Sequence, residues 1–332
     1  MKELSPDEIR SFQQSRGLTV TGIIDGVTAR ALEESRWKLG DRSLYLQPSP
    51  MMRGDDVATL QSRLTDMGFN CGRVDGIFGE LTEGAVKDFQ KSAGIKSDGK
   101  CGPETIIALL RLTRTVSGGA PSELRESALR RTRGPALANK VIVLDPSSGS
   151  DGAIMYDIAT RIEGRLLALG ASVFLTRGVT NNPGENERIE FANKASADLF
   201  ISLHADTYPN EKATGVSTYF YGNDQHGIHS VVGEKFASLV QREICARTDL
   251  LNCRSHAKTW DMLRLTKAPT VRVEIGYLSN PIDRAKLERP DFRDTIAESF
   301  VIAIQRLYLA AEDDAKTGTL RISDLRSAGL RR

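Results

Sequence analysis

From residue 140 onward the chain alternates short apolar runs with longer amphipathic stretches. The runs cover 141–144, 172–175, 199–203, 216–221 and 271–275. They are too short for buried helices, are rich in branched and aromatic side chains, and predict strands. The stretches at about 154–169, 185–195, 229–247 and 291–309 predict helices. In the first of them Ile154, Ile158, Ile162 and Leu166 recur every fourth residue and form one apolar stripe. Strands and helices that largely alternate imply an α/β domain with a mostly parallel sheet flanked by helices.

The first 110 residues follow a helical period and contain a repeat. Phe12-Gln13, Gly17, Gly22 and Thr28 coincide, without a gap, with Phe89-Gln90, Gly94, Gly99 and Thr105. Each copy reads as helix, Gly-rich turn, helix, with the threonines helping to cap the second helices. The second copy has an extra leading helix over 55–68, with Val57, Leu60, Leu64 and Met67 on one face. The expected organisation is a partial helical module at 1–45, a three-helix module at 46–112 and a linker at 113–138. The α/β domain follows at 139–312, and a flexible tail at 313–332.

Composition narrows the function. With 40% hydrophobic residues and a net charge of +2, the chain is an ordinary globular protein with no bias toward nucleic acid. No window is long and apolar enough for a membrane span, and residues 1–10 lack the features of a signal peptide. Cys71, Cys101, Cys245 and Cys253 have no metal or disulfide-framework spacing. The expected location is therefore the cytoplasm, with reduced thiols.

Sites in open α/β sheets lie beyond the carboxyl ends of the strands. Asp145, His204 and Glu274 stand at or near such ends. A histidine beside a glutamate there suits a zinc ligand with a general base, or an ordinary packed pair. Two resemblances weigh on that choice. Residues 53–110, with V-D-G-I-F-G at 74–79 and A-V-K-D-F-Q at 85–90, resemble the type-1 peptidoglycan-binding module. Residues 140–310 resemble the type-3, zinc-dependent N-acetylmuramoyl-L-alanine amidases. The shared stretches are V-I-V-L-D-P at 141–146, the segment 188–206 ending I-S-L-H-A-D, and V-E-I-G-Y-L-S-N-P at 273–281.

The amidase resemblance implies zinc held by His, Glu and His, a catalytic Glu, and cleavage of the bond between muramic acid and L-alanine. His204 matches a retained ligand position and Glu274 the base, here vestigial. The first histidine position holds Ser148, after Ser147, and a neutral hydroxyl is a poor zinc ligand. Asp151 is the sole carboxylate near the second position. His226, His229 and His256 are the candidates for recruited ligands. The expectation is a pseudoenzyme without a cofactor; the alternative is a working zinc amidase with a rearranged site.

Tandem modules before such a domain, with G-D-D-V-A-T-L-Q at 54–61 and T-W-D-M-L-R-L-T at 259–266, resemble the actinobacterial CwlM family. That resemblance implies a regulator of peptidoglycan synthesis. It would bind and activate MurA, the UDP-N-acetylglucosamine enolpyruvyl transferase, after phosphorylation by a Ser/Thr protein kinase. Thr317, Thr319 and Ser323 in the tail are the candidate acceptors, where a phosphate adds nearly two negative charges. Muropeptide or a precursor is a further candidate ligand.

Overall fold

The computed structural model describes residues 4–111, 137–223 and 228–308. His226, Thr317, Thr319 and Ser323 lie outside the described residues.

Five helices come first: α1 (Pro6–Ser15), α2 (Gly26–Glu34), α3 (Asp55–Asp66), α4 (Glu80–Ser92) and α5 (Pro103–Arg111). The predicted face of α3 is inside, with Val57, Leu60 and Leu64 fully buried and Met67 packed against their cluster. One device recurs three times between these helices. A buried glutamine in the later half of one helix spans the turn to the next. Gln13 Oε1 accepts from the Thr21 and Gly22 amides, both at 2.8 Å. Its Nε2 reaches the Ile23 carbonyl and the Thr28 hydroxyl at 3.0 Å. Gln90 does the same with the Gly99 amide, the Lys100 carbonyl and the Thr105 hydroxyl.

Gln61 is the third, holding the Asp75 and Gly76 amides, the Ile77 carbonyl and the Thr82 hydroxyl. The held glycines, Gly22, Gly76 and Gly99, have φ of 74°, 71° and 75°, where a side chain is strained. The threonines are thus not the caps they were expected to be. Thr28 Oγ1 is taken by Gln13, and Asp25 caps α2 by accepting from the Thr28 amide at 2.7 Å.

The second part is a seven-stranded sheet of β1 (Val141–Pro146), β2 (Ser172–Leu175), β3 (Leu199–Asp206), β4 (Val216–Asn223), β5 (Ile228–His229), β6 (Asn252–Lys258) and β7 (Thr270–Tyr277). The order is β2-β1-β3-β7-β4-β5, with β6 also on β4. Strands β2, β1, β3 and β7 are parallel; β4 runs antiparallel to β7. The helices are α6 (Gly152–Ala168), α7 (Glu185–Lys194), α8 (Val231–Arg247), α9 (Asp261–Leu265), α10 (Pro281–Leu287) and α11 (Pro290–Tyr308).

Alternation along the strands sorts their side chains to two faces. On one face Ile142, Ile201, Val273 and Phe220 join Ile158, Ile162 and Leu166 of α6, Phe236 of α8 and Phe300 of α11 in the main core. The other face has a small cluster of Val143, Phe200, Ile189 of α7 and Met262 of α9. This thinly covered face also carries polar side chains. Strands β5 and β6 and helices α9 and α10 were not expected; His229, read as the start of a helix, lies in β5, and β6 is polar at most positions.

Among the thiols, Cys71 and Cys101 are buried, and burial, then Asp56, pushes Cys101 up to about 12. Cys101 should therefore resist iodoacetamide at pH 8 in the native protein while reacting once unfolded, as peptide mass mapping would show. Alkylation of Cys101 in the native state would contradict its placement.

Candidate functional site

The polar face is built from residues two apart on neighbouring strands. Ser202 and His204 on β3 stand beside Arg272 and Glu274 on β7, and His204 is directly in register with Glu274. Tyr219 on β4 is in register with Arg272. Strand alternation therefore puts all five side chains on one face.

Glu274 is 5% exposed and fully engaged. Arg272 places Nε at 3.1 Å and Nη2 at 3.0 Å from Oε1. The Tyr219 hydroxyl donates to Oε2 at 3.0 Å and accepts from Ser217 Oγ at 3.0 Å. Burial raises the Glu274 pKa, against the pull of Arg272. Burial first and the Glu274 charge second push the Tyr219 phenol upward, keeping it a donor.

His204 is a neutral ring. Burial, then Arg272 and Arg188, lower its pKa to about 2. Its Nε2 lies 2.8 Å from Ser202 Oγ, which donates to Asp145 Oδ2 at 2.7 Å. The hydroxyl has one proton, so this network assigns Nε2–H of His204 as the donor to Ser202. The free lone pair of the ring then sits on Nδ1. Asp145 is fully buried and is also held by Thr176 Oγ1 at 2.6 Å and Arg188 at 3.2 Å.

The other sequence candidates are not brought together. Ser148 is exposed, and Ser147 is buried with its hydroxyl unpartnered. Asp151 Oδ2 accepts from the Ala205 amide at 2.8 Å, tying the start of α6 to the end of β3. His229 pairs with Glu234 at 3.0 Å and is in register with Gly222, beyond the far end of β7 from Glu274. His256 is exposed, with Nε2 2.7 Å from the Cys253 carbonyl; its ring centroid is 5.8 Å from that of Tyr219, which stands between it and Glu274. Among the described residues no group of three His, Cys, Asp or Glu side chains is placed to hold a metal. The donors present do not fit zinc. A hydroxyl replaces an imidazole, the nearby carboxylate is used by a backbone amide, and a guanidinium lies on Glu274.

Sequence reading missed the roof of this face. The segment 259–266 docks the helical modules onto the sheet. Arg264 Nε donates to the Asp75 carbonyl at 2.6 Å, and its Nη1 pairs with Glu34 at 3.0 Å. Arg73 donates to the carbonyls of Leu263 and Thr266 at 3.0 and 3.1 Å. Thr259 Oγ1 donates to the Arg16 carbonyl, the Tyr221 hydroxyl to the Val74 carbonyl, and Arg30 pairs with Asp261. Between the first helical copy and the sheet this leaves a cleft of about 770 Å³. Thr19, Val27 and Arg30 line one wall, and Asp206, Trp260, Arg272 and Glu274 line the other.

Residues 147–306 match the family model described as N-acetylmuramoyl-L-alanine amidase, and residues 53–109 match a peptidoglycan binding domain. The chain is 44% identical to N-acetylmuramoyl-L-alanine amidase CwlM of Mycobacterium tuberculosis, over 96% of this chain and 82% of that protein. It is 29% identical to the germination-specific N-acetylmuramoyl-L-alanine amidase of Bacillus subtilis, over 53% of this chain and 83% of the relative. Among solved structures, the N-acetylmuramyl-L-alanine amidase Ami1 from Mycobacterium smegmatis aligns with a TM-score of 0.46 and 22% identity, over 52% of this chain and 98% of that one.

Proposed function

This chain belongs to the N-acetylmuramoyl-L-alanine amidase family, and from that premise we propose that it is a catalytically silent member which regulates peptidoglycan synthesis. The observation that carries the reading is the state of the ligand positions. Ser148 is exposed, and the Asp151 carboxylate is committed to the Ala205 amide. A hydrolase of this kind needs a metal to lower the pKa of water and a base free to take its proton. Here His204 spends its Nε2 proton on Ser202, and Glu274 is held by Arg272 and Tyr219.

The regulatory half rests on the CwlM resemblance. The protein binds and activates MurA when a Ser/Thr kinase has phosphorylated its tail, with Thr317 and Thr319 as acceptors. No helix among the described residues is long and apolar enough to cross a membrane, which is compatible with work in the cytoplasm.

A second reading, a working zinc amidase, is favoured by the direct register of His204 with Glu274 and by the name of the 44%-identical relative, an N-acetylmuramoyl-L-alanine amidase. One set of assays separates the two. Protein purified without chelator is expected to carry far less than one zinc per chain and to release no peptide from muropeptide. Kinase-treated protein is expected to raise MurA turnover, with the gain lost in a Thr317→Ala/Thr319→Ala variant. Zinc near one per chain, with hydrolysis abolished by Glu274→Ala, would establish the enzyme instead.

A further inference from the structure

A carboxylate as buried as Glu274 needs a counter-charge or a proton. Beside the cleft, His204 Nε2 is engaged by Ser202, and Arg188 is committed to Asp145. Lys258 lies over the Tyr219 and Trp260 rings, with its ammonium about 6 Å from each centroid. Among the described residues Arg272 alone makes an ion pair with Glu274, and it does so through two nitrogens on one oxygen. Its guanidinium carbon also lies 5.2 Å from the centroid of the Trp260 ring, at the start of the segment that docks the helical modules. The same side chain thus touches the acid at the sheet and the aromatic roof.

We infer that Arg272 is the internal counter-ion of this cleft, taking for Glu274 the place of a bound cation and closing the site to divalent metals. The inference rests on the silent-homologue reading, and it adds what replaced the metal. Its charge lies where a divalent cation on Glu274 would be repelled. Stacking on Trp260 fixes the guanidinium without further carboxylates.

The test is a double-mutant cycle on the full chain, read by thermal unfolding with and without excess zinc chloride. Arg272→Gln should lower the melting temperature by about 4 °C or more. Glu274→Gln should cost less. The double variant should melt within about 1 °C of Glu274→Gln alone, since the buried charge that needed Arg272 has gone. Zinc should raise the melting temperature of Arg272→Gln and leave that of the parent and the double variant unchanged.

Equal losses from Arg272→Gln in the parent and in the Glu274→Gln background would overturn the assignment. Should Arg272→Gln fail to fold, recovery by Arg272→Lys or by the double variant would uphold it, and failure of both would overturn it. Peptide release from muropeptide by the parent chain would sink the silent-homologue reading, whereas additive effects in the cycle would sink the counter-ion alone.

Discussion

Replacing Arg264 by methionine is expected to destabilise the chain by about 3 kcal/mol. The side chains of Arg264 and Glu34 are 10% and 14% exposed, so removing the guanidinium leaves the Glu34 carboxyl group without its partner and shielded from water at the module interface. The Asp75 carbonyl also loses its donor. Burial opposes the Arg264 charge, while Glu34, Tyr221 and Asp75 favour it, and the balance lies on the charged side. Urea unfolding should show the whole loss in Arg264→Met. Much of it should return in Arg264→Met/Glu34→Leu, because an apolar pair replacing a buried ion pair is often nearly neutral. A change below about 0.5 kcal/mol in the single variant, the range of ordinary surface substitutions, would show that the modules are not held by this pair.

Replacing Gln61 by leucine should be of similar size, about 3 kcal/mol or more. The shape is nearly kept, but the Asp75 and Gly76 amides lose their acceptor and Thr82 loses a partner. Each orphaned buried group costs about 1–3 kcal/mol. Because Asp75 also meets the docking segment, and Val74 meets Tyr221 of β4, the loss should spread across the interface. Native-state hydrogen exchange is the direct readout. The Gly76 amide, bonded to Gln61 Oε1 in the parent, should lose protection and exchange at a rate set by local opening in Gln61→Leu. Unchanged protection at Gly76 would mean that the turn is held by other contacts.

The sheet was largely legible because parallel strands buried on both faces write continuous apolar runs. The true strands extend past those runs, to Pro146, Asp206, Asn223 and Tyr277, since pairing continues where side chains turn polar. Strand β6 left no such run. Asn252, Arg254 and His256 face water, and Arg254 has φ of 69° at a register shift, so neither hydrophobicity nor alternation marked it.

Within the site, His204 and Glu274 could be found from their neighbours in sequence. Arg272 could not, because an arginine between two valines of a strand reads as routine alternation. The third glutamine escaped for a countable reason. Gln61 precedes its glycine by 15 positions, against 9 for Gln13 and Gln90, so a gapless repeat passes over it. Pairs such as Arg264 with Glu34, separated by 230 positions, leave no local trace at all.

Helix α4 closes the Gln61 turn with Thr82 and opens the next with Gln90. In recombination terms, the two turns are linked loci. A chimaera with its junction inside α4 inherits half of each glutamine network from a different parent. Workable crossovers fall before Leu44, the first buried residue of that core and the backbone partner of Cys101, or after Leu109, the last.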